Sequence, residues 1–366
     1  MSSLLGEAQS NQTKPKVLIT GILGQDGANM AEFLLRDPNV LVFGMLRRSS
    51  NSNFINIKKI EHDLNFKLVY GDLTDEISLN QLVQEIKPDY FINFGANSFV
   101  ACSWNMPLHV MDVNALGVLR CLEAIRLFQP KCRFYSAGSS EEFGNVDYSP
   151  QDIAHPIKAR SPYGASKAAA RHLVKVYRES YNIFAVHGIL FNHEGTKRGE
   201  EFVTRKISKG VARIAKAIKD NKPFLPIELG NLSAERDWSD SEDFVKGVWL
   251  MLNQDKPKNY VLSSNETHSI HEFVEKAFLV ANIPGFWQGL GIEQKYYLAN
   301  HIHEEFPDMS GCLVRVNPKF YRPAEVEVLL GDSNPIRMEL GWEPKVSFLS
   351  LVEKMVLHDI DILSKE

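Results

Sequence analysis

Tyr163 and Lys167 stand four residues apart in the run Ser-Pro-Tyr-Gly-Ala-Ser-Lys at 161–167. On a helix that spacing puts a phenol and an ammonium on one face, one turn from each other. A cation beside a phenol favours the phenolate and lowers its pKa. A tyrosine tuned toward neutral pH works as an acid and base on a sugar or alcohol hydroxyl. Upstream, Ser139 and Glu141 follow the apolar run Phe-Tyr-Ser-Ala at 134–137, which reads as a buried strand. Open parallel sheets take their ligands at the carboxyl ends of strands, so a hydroxyl and a carboxylate are expected there, next to Tyr163. Tyr-x-x-x-Lys recurs by chance on many helices. Its weight here comes from what precedes it.

The elements that must carry these residues begin at 16–20, a short apolar strand. Gly21-Ile-Leu-Gly24-Gln25-Asp26-Gly27 follows, and then an amphipathic helix at 28–36. Gly21 permits a tight turn, Gly24 lets the backbone approach a pyrophosphate, and Gly27 lets the helix pack close to the strand. The helix start then faces the phosphates with its N–H groups. The G-x-x-G-x-x-G spacing points to the short-chain dehydrogenase branch of the dinucleotide-binding fold. A second strand at 40–46 ends in Arg47-Arg48-Ser49-Ser50. An acidic residue there would select NAD; two arginines and two hydroxyls suit a 2′-phosphate, so NADP is expected. A third strand at 67–70 leads to Asp72, which either accepts from an adenine amino group or caps a helix beginning near Asp75. A fourth strand at 90–94 runs into Gly95-Ala96-Asn97-Ser98, small residues that allow a cofactor to approach closely.

Further along, a helical pattern covers 110–128, and strands cover 132–137 and 183–191. Helices are expected at 202–218, 271–281 and 348–363, with one more strand at 261–264. Residues 285–317 read as irregular. Strands alternating with helices mean a parallel sheet with right-handed crossovers. The expected architecture is an α/β, Rossmann-type, doubly wound parallel sheet with a smaller C-terminal α/β substrate domain. Residues 1–15 are expected to form a flexible tail. Residues 16–191 are mainly the NADP-binding domain. Residues 192–366 are mainly the second, substrate-binding domain, with part of 230–265 returning to the first.

The chain has 366 residues, 44% hydrophobic and 23% charged, an ordinary globular balance. Its net charge of −4 offers no basic field to nucleic acid or to anionic lipid. An anionic ligand must therefore be held by local arginines. Cys102, Cys121, Cys132 and Cys312 have neither metal-binding nor redox spacing; they read as reduced, with no metal site. Residues 1–15 are polar and lack the pattern of a secretory leader. No run of about 18 apolar residues occurs. A cytoplasmic protein is expected, with a small-molecule partner rather than a nucleic acid or a membrane.

An ordered series of motifs now identifies a resemblance. Gly-Ile-Leu-Gly-Gln-Asp-Gly (21–27), Arg-Arg-Ser-Ser (47–50), Gly-Asp-Leu-Thr-Asp (71–75) and Arg-Ser-Pro-Tyr-Gly (160–164) belong to it. So do Gly-Ile-Leu-Phe-Asn-His-Glu (188–194), Phe-Val-Thr-Arg-Lys-Ile (202–207), Gly-Asn-Leu-x-Ala-x-Arg-Asp-Trp (230–238), His-Ser-Ile-His-Glu-Phe-Val-Glu (268–275) and Tyr-Arg-Pro-x-Glu-Val (321–326). Over roughly 16–355 the chain resembles the GDP-mannose 4,6-dehydratases, extended short-chain dehydrogenases/reductases. The resemblance implies oxidation at C4 of the hexose with Tyr163 as base and Lys167 holding its pKa down. It implies a Ser139 hydrogen bond to the C4 oxygen, and proton removal from C5 by Glu141 with loss of the C6 hydroxyl as water. Hydride then returns to C6, giving a GDP-4-keto-6-deoxy sugar. It further implies that Gly21, Gly24, Gln25, Asp26, Gly27, Arg47, Arg48, Ser49, Ser50, Asp72, Leu73, Gly95, Ala96, Ser98, Tyr163, Lys167, His193 and Arg198 contact NADP. The GDP-sugar would meet Ser98, Ser139, Glu141, Asn192, Arg236, Arg322 and Glu325. An arginine forks onto a diphosphate, and a glutamate accepts from the guanine N1–H and amino group. The assembly implied is a homodimer or homotetramer.

This sequence departs from the family pattern in places. Ser139 replaces Thr, keeping the hydroxyl. Glu142 and Phe143 replace Leu and Tyr; adjacent residues on a turn point apart, so Glu142 is expected at the surface. His109 replaces a Tyr. The stretch 51–62 is altered where relatives build a tetramer, and 296–310 looks inserted near the sugar pocket. Rival readings are an NADP-dependent nucleotide-sugar epimerase or reductase, which needs no Glu141, and a dehydratase acting on a GDP-heptose. A third is a non-catalytic nucleotide sensor, which would not need both Tyr163 and Lys167.

Overall fold

The computed structural model describes residues 14–50, 53–299, 311–320 and 328–365. The apolar run 17–20 is buried on both faces, as a central strand of a parallel sheet must be, and forms β1 (Lys16–Thr20). Then come α1 (Gln25–Leu34), β2 (Leu41–Leu46), β3 (Phe66–Tyr70), α2 (Glu76–Ile86) and β4 (Tyr90–Asn93). Asp75, not Asp72, caps α2: its carboxylate accepts from the Ile77 N–H at 3.0 Å, satisfying one of the donors a helix start leaves unpaired. Asp72 accepts instead from the N–H and hydroxyl of Thr74. The pattern read as one helix over 110–128 is α3 (Pro107–Met111), a π-helical turn at Asp112–Leu116, and α4 (Gly117–Phe128), in unbroken succession. β5 (Arg133–Ala137), α5 (Pro162–Tyr181) and β6 (Ala185–Leu190) complete the first half.

Beyond β6 lie β7 (Asn192–Glu194), α6 (Val203–Lys219), β8 (Ile227–Leu229), β9 (Glu235–Arg236), β10 (Trp238–Asp240), α7 (Ser241–Leu252) and β11 (Tyr260–Leu262). They are followed by β12 (His268–Ser269), α8 (Ile270–Val280), β13 (Gly285–Gln288), β14 (Lys295–Leu298), β15 (Cys312–Val316), β16 (Val328–Leu329), α9 (Asn334–Leu340) and α10 (Phe348–Ser364). The central sheet has seven parallel strands in the order β11-β6-β5-β4-β1-β2-β3. The order of strand addition reverses between β1 and β4 while the strands stay parallel, and such a switch point is where these sheets bind ligands. One face packs α1 and α7 around Ile19, Val42, Phe244 and Trp342. The other packs α2, α4 and α5 around Leu18, Leu82, Leu122 and Val174.

A separate core gathers α6, α8 and α10 with the four-stranded sheet β13-β14-β15-β8 around Ile214, Phe273, Tyr296 and Val352. Residues 285–317, expected to be irregular, contain β13, β14 and β15, paired antiparallel. The strands are short and broken by Gly289 and Gly291, both at positive φ, so no period-2 run was long enough to read. The start of the segment that looked inserted, Tyr296 to Leu298, is part of β14; residues 300–310 lie outside the described residues. Among the described residues no helix is long and apolar enough to cross a membrane. All four cysteines are free, and among the described residues no group of three or more His, Cys, Asp or Glu is placed to hold a metal.

Candidate active site

A cleft of about 1260 Å³ opens along the carboxyl ends of the central strands, between the sheet and the second core. Its floor is the turn after β1. Gly21 has φ +69°, and a Cβ there would meet the Gly95 backbone N at 2.8 Å, so this position demands glycine twice over. A Cβ on Gly27 would lie 2.3 Å from the Gly21 carbonyl oxygen; its absence seats α1 against the turn. Gly24 is the N-cap of α1, and no side chain caps it. The helix start therefore opens into the cleft, a polar cradle of the kind that holds an anion. Gln25, Asp26, Asp72, Leu73, Gly95, Ala96 and Ser98 line the same wall. At the end of β2, Arg47 and Ser49 line the cleft, whereas Arg48 and Ser50 are exposed and do not.

His193 on β7 closes one side. Its Nε2 lies 3.0 Å from Asp26 Oδ2, its Nδ1 lies 2.8 Å from the Phe191 carbonyl oxygen, and its ring stacks on Phe244. Burial raises the Asp26 pKa, but His193 and Arg198 beside it outweigh this and hold the carboxyl below its usual range. Burial alone would lower the His193 pKa; Asp26 reverses that and raises it. This histidine is both a packed structural residue and part of the cleft wall.

The four residues expected to carry chemistry meet at one point. Ser139 ends the loop after β5 and caps a single 3₁₀ turn, Ser140–Glu142. Ser161 caps α5, its hydroxyl accepting from the Gly164 N–H at 3.0 Å, and Pro162 occupies the first turn, where its missing N–H costs nothing. A Cβ on Gly164 would sit 2.4 Å from the Glu141 carbonyl oxygen, so the start of α5 rests directly on the Ser139–Glu142 turn. Tyr163 and Lys167 are nearly buried, and with Ser139 and Glu141 they line the cleft.

The electrostatics differ from expectation. The Tyr163 phenol is raised in this structure rather than lowered, and the Lys167 ammonium hydrogen-bonds elsewhere. Lys167 Nζ donates to the Ala137 carbonyl at 2.7 Å and stands 5.8 Å from the centre of the Tyr163 ring. Burial pushes the Tyr163 phenol up to about 12, with Glu141 and Glu142 adding to the rise and a Ser139 hydrogen bond opposing it. Burial likewise brings the Lys167 ammonium down to about 8.

Glu142 is also not where the turn argument put it. The two adjacent carboxylates do diverge, but Glu142 is the one turned inward, with no exposed surface. Its Oε1 accepts from the Ser139 N–H at 2.9 Å and lies 2.9 Å from His187 Nε2 on β6. Burial raises its pKa, and His187 and the Ser139 N–H more than cancel that, leaving it lowered.

The far wall comes from the second core. Asn192, Arg198 and Arg236 line it, as do Lys206 on α6 and Phe320. Arg198 Nε is 2.9 Å from Glu194 Oε2, and its guanidinium lies 3.5 Å from the centre of the Phe202 ring. Lys206 Nζ lies 3.5 Å from the centre of the Phe320 ring, and burial lowers its pKa. Arg322 and Glu325 lie outside the described residues. Sequence reading missed Lys206, although it sits inside the Phe-Val-Thr-Arg-Lys-Ile run. It also missed Asn114, on the π-helical turn: its amide accepts from the Asn97 N–H and donates to the Asn97 carbonyl and Ser166 hydroxyl, tying the β4 loop to α5. A π turn inside a helix often marks a functional position; nothing in residue spacing announces it.

The sequence profile of the family described as GDP-mannose 4,6 dehydratase matches residues 18–355. A GDP-mannose 4,6-dehydratase of Vibrio cholerae is 41% identical over 360 residues, covering 95% of this chain and 94% of that protein. The Homo sapiens GDP-mannose 4,6 dehydratase is 40% identical over 371 residues, covering 98% and 95%. Among solved structures, dTDP-glucose 4,6-dehydratase DesIV from Streptomyces venezuelae, with NAD and TYD bound, superposes with a TM-score of 0.76 at 19% identity, covering 96% of this chain and 98% of that one. Thermus thermophilus UDP-glucose 4-epimerase complexed with NAD gives a TM-score of 0.75 at 23% identity, covering 94% and 98%. The last two likenesses concern the fold alone.

Proposed function

The chain belongs to the GDP-mannose 4,6-dehydratase family, and from that premise we infer how its cleft dehydrates GDP-mannose to GDP-4-keto-6-deoxymannose. The observation that carries the reading is the placement of Glu141. It shares one turn with Ser139 and faces the same cleft as Tyr163 and Lys167. An epimerase or a simple reductase needs the tyrosine and lysine only. Loss of water across C5 and C6 needs a second base, and Glu141 supplies one.

In this reading Tyr163 takes the proton of the C4 hydroxyl, and Ser139 hydrogen-bonds the oxygen that becomes the ketone. The ketone acidifies the C5 proton; Glu141 removes it and passes it to the departing C6 hydroxyl, which leaves as water, and the proton that Tyr163 took from the C4 hydroxyl is returned to C5 once C6 has been reduced. When bound, the nicotinamide cofactor supplies the hydride acceptor for C4 and the hydride donor for C6. Tyr163 holds its proton in the unliganded protein, so it becomes a base only as positive charge gathers at the site; Lys167, one turn along α5, is the side chain placed to contribute it.

The cofactor proposed is NADP. Arg47 and Ser49 at the end of β2 support a 2′-phosphate, and the glycine cradle with the open start of α1 supports the pyrophosphate. Gly21, Gly24, Gly27, Gln25, Asp26, Gly95, Ala96, Ser98, His193 and Arg198 are assigned to the cofactor. Asn192 and Arg236 are assigned to the GDP-sugar, with Lys206 and Phe320 added from the geometry. Residues 16–191 are taken as the cofactor half and 192–366 as the substrate half. A homodimer or homotetramer working in the cytoplasm is proposed; exposed Leu116 and Leu127 near α4, with Val176 and Tyr181 on α5, support self-association.

The test is a mass spectrum of GDP-mannose incubated with the purified protein and no added cofactor. Loss of one water, absent in Glu141→Gln, is the expected result. An unchanged mass would overturn GDP-mannose as substrate.

A further inference from the structure

We propose that Glu142 and His187 are positioning residues, a buried anchor that fixes the Ser139–Glu141 turn against Tyr163. This deepens the dehydratase reading of the cleft and rests on it. Both side chains have no exposed surface. Glu142 Oε1 alone makes two contacts: the Ser139 N–H donates to it at 2.9 Å, and His187 Nε2 lies 2.9 Å away. The carboxylate can only accept, so His187 Nε2 carries the proton between them. His187 Nδ1 lies 3.3 Å from Ser136 Oγ on β5. The other oxygen, Oε2, has no hydrogen-bond partner; its nearest cation is Arg171 Nη1, 3.9 Å away on α5.

The chain is shaped around this pair. A Cβ on Gly138 would lie 2.2 Å from His187 Nε2 and 2.7 Å from Glu142 Oε1. Only glycine lets β5 leave the sheet across the top of the pair. Reciprocally, the Ser139 hydroxyl accepts from the Glu141 N–H at 3.2 Å, so the cap that orders Glu141 is made by the residue Glu142 holds. The pair thus ties β6 to the first residue of the turn, and Gly164 seats α5 on the same turn.

A buried carboxylate is expensive to keep without a partner and gains little over an apolar pair when it has one. Its retention beside the reacting groups is accounted for by geometry. A reacting group displaced by about 1 Å loses about 10²-fold in rate. Glu142 does not line the cleft assigned to cofactor and substrate.

The anchor is an acceptor oxygen, which gives the test its shape. Glu142→Gln keeps Oε1 in place, while Glu142→Leu deletes it. The expected result is a kcat for Glu142→Gln within about threefold of wild type, and a kcat for Glu142→Leu lowered about 10²-fold with KM for GDP-mannose changed far less. Amide hydrogen exchange of the 139–143 segment, read without substrate, should rise in Glu142→Leu and not in Glu142→Gln. Should Glu142→Leu fail to fold, Glu142→Leu/His187→Leu leaves neither member of the pair unpartnered and makes the same deletion. An undiminished kcat with unchanged exchange in the leucine variants would overturn the anchor. So would a Glu142→Gln variant that falls as far as the leucine ones. A wild type inactive on GDP-mannose whose variants still show the exchange pattern would overturn the substrate and leave the anchor standing.

Discussion

Lys167 points its ammonium at the carbonyl oxygen of Ala137, 2.7 Å away at the end of β5, and not at the phenol of Tyr163. The lysine is nearly buried, and its pKa has fallen to about 8 from an ordinary 10.5. Between those two values the unfolded chain binds more protons than the folded one, so this group's contribution to stability rises with pH. Its cost is fully present below pH 8 and is relieved as pH climbs toward 10.5. Wild type should therefore gain about 3 kcal/mol on Lys167→Met between pH 7 and pH 11. Denaturant midpoints of the two proteins across that range check it; parallel profiles would refute it.

Tyr163→Phe should lower kcat by about 10²–10⁴-fold, the usual span for a lost acid/base group. The phenol is buried at the base of the cleft, and the ring that fills that space is retained. Nucleotide-sugar affinity by calorimetry should stay within a few-fold of wild type. A variant that turns over normally would remove Tyr163 from the mechanism.

With NADP as the proposed cofactor, replacing Arg47 by Glu should weaken its binding. A charge-assisted hydrogen bond contributes about 1.5–3 kcal/mol, which corresponds to a loss of affinity of about 10- to 100-fold. The residue is exposed at the mouth of the cleft, so the thermal midpoint without cofactor should not move. Equal loss of NAD and NADP affinity would argue against a 2′-phosphate contact.

Gly164→Ala places a methyl 2.4 Å from the Glu141 carbonyl oxygen. Backbone on both sides leaves nothing flexible to yield. The start of α5 must lift from the turn, which should cost about 1–3 kcal/mol of stability and a larger factor in kcat than in KM. Chemical denaturation and steady-state kinetics on the one variant separate the two effects. Wild-type values for both would mean that the contact is not what sets the distance from Tyr163 to Glu141.

Residue order announced β1 to β6: strands buried on both faces, such as β1 and β6, are continuous apolar runs, and the glycine turn after β1 has its own signature. The same order placed Tyr163 one turn from Lys167. It did not reveal where the ammonium goes, since that depends on a carbonyl 30 residues upstream. Nor could it choose which of two neighbouring glutamates turns inward. Glu142 goes in because His187, 45 residues later, waits on β6, and that pairing exists only once β5 and β6 lie side by side. Lys206 was invisible for a similar reason: an amphipathic helix shows which face is apolar, not which of its cations faces a cleft beside Phe320.

The seventh strand has a consequence for how the polypeptide is made. β11 joins β6 from beyond residue 259, and Ile336 and Trp342 then pack into the same core as β1. Emerging from a ribosome amino end first, the nascent chain carries β6 as a bare edge, open to the wrong neighbour. The edge is covered only after the intervening β7–β10 and α7 have been synthesised. A fragment stopped at residue 191 would lack that cover, the facing helix α7 and the tryptophan. Such a fragment is therefore not expected to be obtainable by expressing it alone.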